Sequence, residues 1–172
     1  MPTPAEVRRT FRFNRAVLEG FEGKLRRLPW RVVAKDCEVT WHSMAGVYHH
    51  VLGVYDGWLN YVAQGRSADE TMLMQRWSSL TSMNELVAYR MAVWEGIDRL
   101  LAGLTPARLQ RKVKAPWQPK ACTLADAFAQ CTLEQAYHLG EIIAMLWQED
   151  IEPPAMGWLE TNRKLAERRT PH

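Results

Sequence analysis

Thr123–Met145 reads TLADAFAQCTLEQAYHLGEIIAM, and its spacing decides the fold class. Leu124, Phe128, Cys131, Gln135, His138, Ile142 and Met145 recur in alternating steps of four and three, the repeat that lines up one side of an α-helix. Thr123 stands just before the first of them, where a short hydroxyl side chain caps a helix start. His138 lies in this seam between Cys131 and Ile142, and Glu134 borders it.

Upstream the same period recurs. Val7, Phe11, Asn14, Leu18, Phe21, Leu25 and Leu28 form a continuous seam ended by Pro29. A second helix is expected from near Thr40 to about Gln64-Gly65, with Val47, Val51, Val54, Trp58 and Val62 inward. Ser67-Ala-Asp-Glu70 reads as a capping box for a short helix inside a long connection. Ser82-Met-Asn-Glu85 reads as another, opening a third long helix through Leu86, Val93, Ile97, Leu100 and Leu104. Thr105-Pro106 starts a brief helical turn, Pro116–Pro119 is a loop, and Glu152-Pro-Pro154 closes the fourth helix. Runs of alternating apolar and polar residues are absent, so little or no strand is predicted. The expectation is an all-α four-helix bundle with a long crossover between the second and third helices. One domain over 1–172 is expected, its last dozen residues a frayed helix or tail.

Composition narrows the function. At 172 residues with 47% hydrophobic and 24% charged residues, the chain has ordinary globular proportions. A net charge of +3 with scattered basic residues argues against nucleic acid as a partner. No apolar run approaches a membrane span, and the N-terminus has no secretory h-region. Three irregularly spaced cysteines, Cys37, Cys122 and Cys131, argue against a disulfide framework and for a reducing compartment, with cytoplasm expected. Eight Trp and eight Met suit a bulky core or a pocket with aromatic walls.

The chemistry is concentrated in three residues. Glu134 and His138 are four apart, so on a helix they project from one face. His50 lies between Val47 and Val54, with Trp58 two turns on, so it points into the bundle. His49 turns the other way, sharing a face with Gly53, Asp56 and Asn60 that is expected to be solvated. A buried carboxylate needs a cation or several donors. Two imidazoles and one carboxylate suit a divalent transition metal, Zn²⁺ or Ni²⁺, and leave one position for water or substrate. Spacing alone also admits a structural Glu–His hydrogen bond. The paired Glu-x-x-His motifs of di-iron bundles are missing, as is the His-Glu-x-x-His motif of zinc proteases.

Further residues fit a known pattern. His50-Val-Leu-Gly-Val-Tyr-Asp-Gly-Trp58, Glu134-Gln-Ala-Tyr-His138-Leu-Gly-Glu141, Pro153-Pro154 and Asn14 together resemble the DinB/YfiT-like family of four-helix-bundle metalloproteins over nearly the whole chain. In that family the fourth helix carries His-x-x-x-His followed by a basic residue, Gly and Gln. Here Glu134 replaces the first of those histidines, as in the similar mycothiol-dependent maleylpyruvate isomerases, and His₂Glu is a known catalytic zinc set. Leu139 and Glu141 replace the usual Arg and Gln, which removes a basic side chain beside the site. The resemblance implies a metal-dependent transferase joining a low-molecular-weight thiol, such as bacillithiol or mycothiol, to an electrophile in a pocket lined by Trp and Met. It equally admits a non-enzymatic, stress-associated metal-binding or ligand-sensing bundle, and it implies a homodimer.

Seven further residues have roles to weigh. Cys131 reads as a small core residue, with a fourth ligand or a redox-sensitive thiol as the other readings. Asn14 either fixes helix register or donates to a ligand. Trp58 reads as core or pocket wall, and Tyr48 and Tyr137 as packing. Asp56 and Glu141 read as solvated charges, although Glu141 could accept from His138 Nδ1–H and orient the imidazole.

Overall fold

The computed structural model of the chain describes residues 1–38, 40–67, 71 and 77–167. Four long helical runs build the core, as their apolar seams require. Helix α1 spans Pro4–Leu25, and a one-turn helix α2 spans Trp30–Val33. Helix α3 spans Met44–Tyr55 and continues as a π-helical segment over Asp56–Val62. Helices α4 (Met83–Ala102), α5 (Pro106–Gln110), α6 (Leu124–Gln148) and α7 (Trp158–Glu167) follow. The long crossover lies between the end of the π segment and α4. Among the described residues, strand content is one antiparallel pair, β1 (Lys112–Val113) on β2 (Cys122–Thr123), matching the near absence of alternating sequence.

One ring from each long helix meets at the centre. Phe11 of α1 stands edge-on to Phe128 of α6 at 4.8 Å, to Tyr55 of α3 at 5.7 Å and to Trp94 of α4 at 6.1 Å. Each such pair is worth about 0.5–1.5 kcal/mol beyond the area it buries. Around these rings a polar thread runs through the core. Tyr55 donates to Gln135 at 2.8 Å, Gln135 donates to the Asn14 carbonyl at 3.2 Å, and Asn14 donates to Thr132 at 3.0 Å. Asn14, buried in the α1 seam, thus ties α1 to α6, and a slip of either helix would orphan these buried groups.

Helix ends follow capping chemistry. Thr123 accepts from the Asp126 N–H at 3.1 Å while Asp126 accepts from the Thr123 N–H at 2.8 Å, a reciprocal box that starts α6. Thr105 caps α5 in the expected way. The expected box at Ser82 forms differently: Glu85 accepts from the Thr81 N–H at 3.3 Å, and Ser82 accepts no cap bond. Pro29 does not simply end the α1 seam. The helix stops at Leu25, and Pro29, lacking an N–H to continue it, caps the separate turn α2. Residues 68–70 of the expected capping box and the last five residues of the expected tail lie outside the described residues, while part of that tail is helix α7.

Two expectations for the second helix are corrected. It starts at Met44, capped by Ser43, which accepts from the Gly46 N–H at 3.0 Å, and not near Thr40. His42 takes a φ of 65°, a left-handed turn that no helix can pass through. The face carrying His49, Gly53, Asp56 and Asn60 is not solvated. Asp56 is 2% and Asn60 0% exposed, because α4 packs on that face. Asn60 donates to Asp56 at 2.7 Å and to the Val93 carbonyl at 3.2 Å, and Tyr89 donates to Asp56 at 3.2 Å. The approach is close enough that a Cβ at Gly96 would stand 2.0 Å from Asn60 Oδ1. The fully buried side of the second helix is Val47, Tyr48, Val51, Leu52, Tyr55 and Leu59, whereas Val54 and Val62 are only partly buried. The wider π turn rotates the face after Asp56 away from a 3.6-residue projection.

Candidate metal centre

Packing of α3 along α6 brings His50 to Glu134 and His138. Glu134 Oε2 lies 3.1 Å from His138 Nε2 and 3.8 Å from His50 Nε2. One ligand atom from each of the three residues falls within 4.8 Å of the others. For a tetrahedral ion with bonds near 2.1 Å, neighbouring ligand atoms stand about 3.4 Å apart. The two spacings from Glu134 Oε2 bracket that value, so the three residues form a candidate set for a divalent cation. His138 is almost enclosed, its side chain 7% exposed, while His50 and Glu134 are 22% and 28% exposed. The cluster therefore sits at the edge of the core with one side toward solvent.

Local chemistry prepares each side chain for ligation. Burial, reinforced by the neighbouring His138 and His49 rings, pushes the His50 imidazolium down to about 4. At neutral pH the ring thus keeps a free lone pair, the form that binds metal. Gln130, one turn before Glu134, donates to Glu134 Oε1 at 2.7 Å, which leaves Oε2 facing both imidazoles. The Trp41 ring stacks on His50 with centroids 4.0 Å apart and planes 16° apart. His50 and His138 meet edge to face at 4.5 Å. Tyr137, 69% exposed, sets its ring edge-on to His138 at 5.0 Å. It is a rim residue and not the packing residue expected, while Tyr48 is indeed fully buried.

The remaining candidates separate. Glu141 belongs beside the cluster: its side chain is 17% exposed, and Oε2 lies 3.4 Å from His138 Nδ1. It is not the solvated charge expected, since its side chain is mostly covered. Cys131 is wholly buried, with Sγ 3.9 Å from the Val54 carbonyl; burial pushes its thiol well up, so it is a core residue. Asn14 serves the α1–α6 thread described above. Trp58 is 7% exposed and packs edge-on against Trp117 at 5.7 Å. Met44 and Met145 are core residues, so the rings found at the cluster are Trp41 and Tyr137.

Sequence reasoning missed Gln130, Thr40 and Trp41. Gln130 was reachable, since it precedes Glu134 by four residues on one helix face. Thr40 and Trp41 lie in the irregular approach to α3, where no periodicity reports which way a side chain turns.

A family model of the DinB superfamily matches residues 3–142. No curated protein matches the chain. The matched stretch runs from the cap of α1 through Ile142 of α6 and contains all three clustered residues, so the chain belongs to the DinB superfamily.

Proposed function

We propose that this member of the DinB superfamily binds a divalent metal, zinc or nickel, through His50 Nε2, Glu134 Oε2 and His138 Nε2, and uses it to activate a small thiol for transfer to an electrophile. The observation that carries the metal reading is the convergence of two imidazole nitrogens and one carboxylate oxygen at the solvent edge of the core. Three protein ligands leave an open position, the feature that separates catalytic from structural sites. A dication held there would lower the pKa of a thiol bound to it, so that thiolate would be present near neutral pH. His50 and His138 supply imidazole nitrogens, Gln130 holds the Glu134 carboxylate, and Trp41 and Tyr137 flank the approach with ring surface for an electrophile.

Leu139 supports a second reading, a non-enzymatic metal-binding or ligand-sensing bundle. It is fully buried, so the position where similar family members carry Arg offers no cation to an anionic thiol substrate. Elemental analysis of protein purified without a metal-affinity step tests the shared premise: metal in stoichiometric amount supports it, and metal-free protein that takes up neither Zn²⁺ nor Ni²⁺ on titration sinks it. Calorimetry of the loaded protein with low-molecular-weight thiols then divides the two readings. Thiol affinity together with faster conjugation to a model electrophile supports the transferase, and metal uptake without either favours the sensor.

A further inference from the structure

His138 has a carboxylate behind it as well as in front. Its Nδ1 is buried, as is Glu141 Oε2, and neither has a hydrogen-bond partner among the described residues; they approach to 3.4 Å. The other oxygen, Glu141 Oε1, accepts from the Thr40 hydroxyl at 3.3 Å. The next residue, Trp41, stacks on His50. Thus two consecutive residues ahead of α3 reach both imidazoles of the cluster, one through Glu141 and one by direct ring contact.

From this juxtaposition, and resting on the metal reading above, we propose that Thr40, Trp41 and Glu141 are positioning residues that aim both imidazoles at one shared cation. A neutral imidazole has one N–H and one lone pair. In the tautomer with its proton on Nδ1, toward Glu141, the Nε2 lone pair faces Glu134 Oε2, 3.1 Å away. A cation between Nε2 and Oε2 then takes the place of the hydrogen bond that the other tautomer makes to Glu134. A carboxylate behind a ligating imidazole also raises its basicity. Glu134 and Glu141 together present two carboxylates to the site, matching the charge of a dication with two neutral imidazoles between them. Trp41 fixes the plane of His50, whose ring would otherwise rotate freely toward solvent on its partly exposed side.

The test uses the full chain stripped of metal and titrated with Zn²⁺ and Co²⁺ against a chelator. Glu141→Ala should weaken Zn²⁺ binding by about 10–100-fold, the usual effect of losing an orienting partner, and alter the Co²⁺ d–d spectrum. The melting temperature of the metal-free variant should stay near that of the wild type. Glu141→Gln, which keeps an acceptor oxygen, should recover part of the affinity. Thr40→Val, at an exposed position, should shift affinity in the same direction by less. Wild-type affinity and an unchanged Co²⁺ spectrum in Glu141→Ala overturn the positioning role while leaving the metal site standing. If Glu141→Ala does not fold, unchanged affinity in Thr40→Val and Trp41→Leu does the same. A wild-type chain that takes up neither ion removes the metal reading itself, and this inference falls with it.

Discussion

His49 and His50 are adjacent on α3, yet they face two different environments. Burial pushes both imidazolium groups down to about 4, so both rings are neutral near pH 7. His50 looks toward α6, where a carboxylate and a second imidazole converge and one side is open. His49 looks toward α4, its ring tilted against Tyr89 at 5.3 Å, with Nε2 buried and unpartnered among the described residues. There the polar groups of Asp56, Asn60, Tyr89 and Gln64 bond mostly to one another and to backbone carbonyls. Polar groups that bond to one another hold helices together. Two imidazoles and a carboxylate that converge at an open edge offer ligand atoms to a cation.

The contrast breaks if the two histidines can be exchanged in a binding assay. His50→Ala should lower Zn²⁺ affinity by more than the roughly 100-fold upper range of an orienting partner, because it removes a direct ligand. His49→Phe should leave affinity within about twofold, well under the tenfold that 1.4 kcal/mol represents. Chelator competition reads both, and equal losses would erase the distinction drawn here.

A second change sharpens the α4 side. Gly96→Ala drives a methyl group into Asn60, whose amide already serves Asp56 and the Val93 carbonyl and so has nowhere to swing. Overpacking of this kind costs about 1–3 kcal/mol, partly offset by the better helix propensity of Ala. Thermal melts of the metal-free protein should show a drop of a few degrees, at about 2–4 °C per kcal/mol for a chain of this size. Metal affinity should not move. A variant as stable as the wild type would mean that α3 and α4 are less tightly joined than the geometry indicates.

The smallest expected effect concerns alkaline pH. Burial and the Asp56 carboxylate push the Tyr89 phenol well up, and burial does the same to Tyr48 and Tyr55. A group whose folded pKa is raised stabilises the fold below its unfolded value, near 10 for Tyr. That contribution is lost as pH climbs from there toward the folded value, because the unfolded chain releases the proton first. Melting temperature should therefore decline above about pH 10, and Tyr89→Phe should flatten the decline. An unchanged slope in that variant would show that the Tyr89 phenol is not sealed between α4 and Asp56.

Much of the scaffold was legible because helix packing is written locally. The α1 and α6 seams, the Thr123 cap and the near absence of strand each follow from residues three or four apart, and the structure matches them. The second helix was legible in extent at its C-terminal end but not in orientation. The π segment shifts the register of its faces, and whether Asp56 and Asn60 meet water or α4 depends on a glycine more than thirty residues away. At the candidate site, the Glu134–His138 spacing was visible, and the inward aim of His50 could be read from Val47 and Val54. Glu141 had two readings that sequence alone could not separate, since exposure depends on what covers a helix face.

From its sequence alone the chain determined its helices, the seams that bury them and the presence of ligand-type side chains on two of those seams, because side chains three and four apart on one helix are placed by its geometry. Tertiary structure alone decided that His50 meets Glu134 and His138 across the α3–α6 contact, that Thr40 and Trp41 reach back to that cluster, and that His49 does not join it. Those outcomes depend on distances between segments up to a hundred residues apart, which no local pattern encodes; packing of whole helices fixes them together.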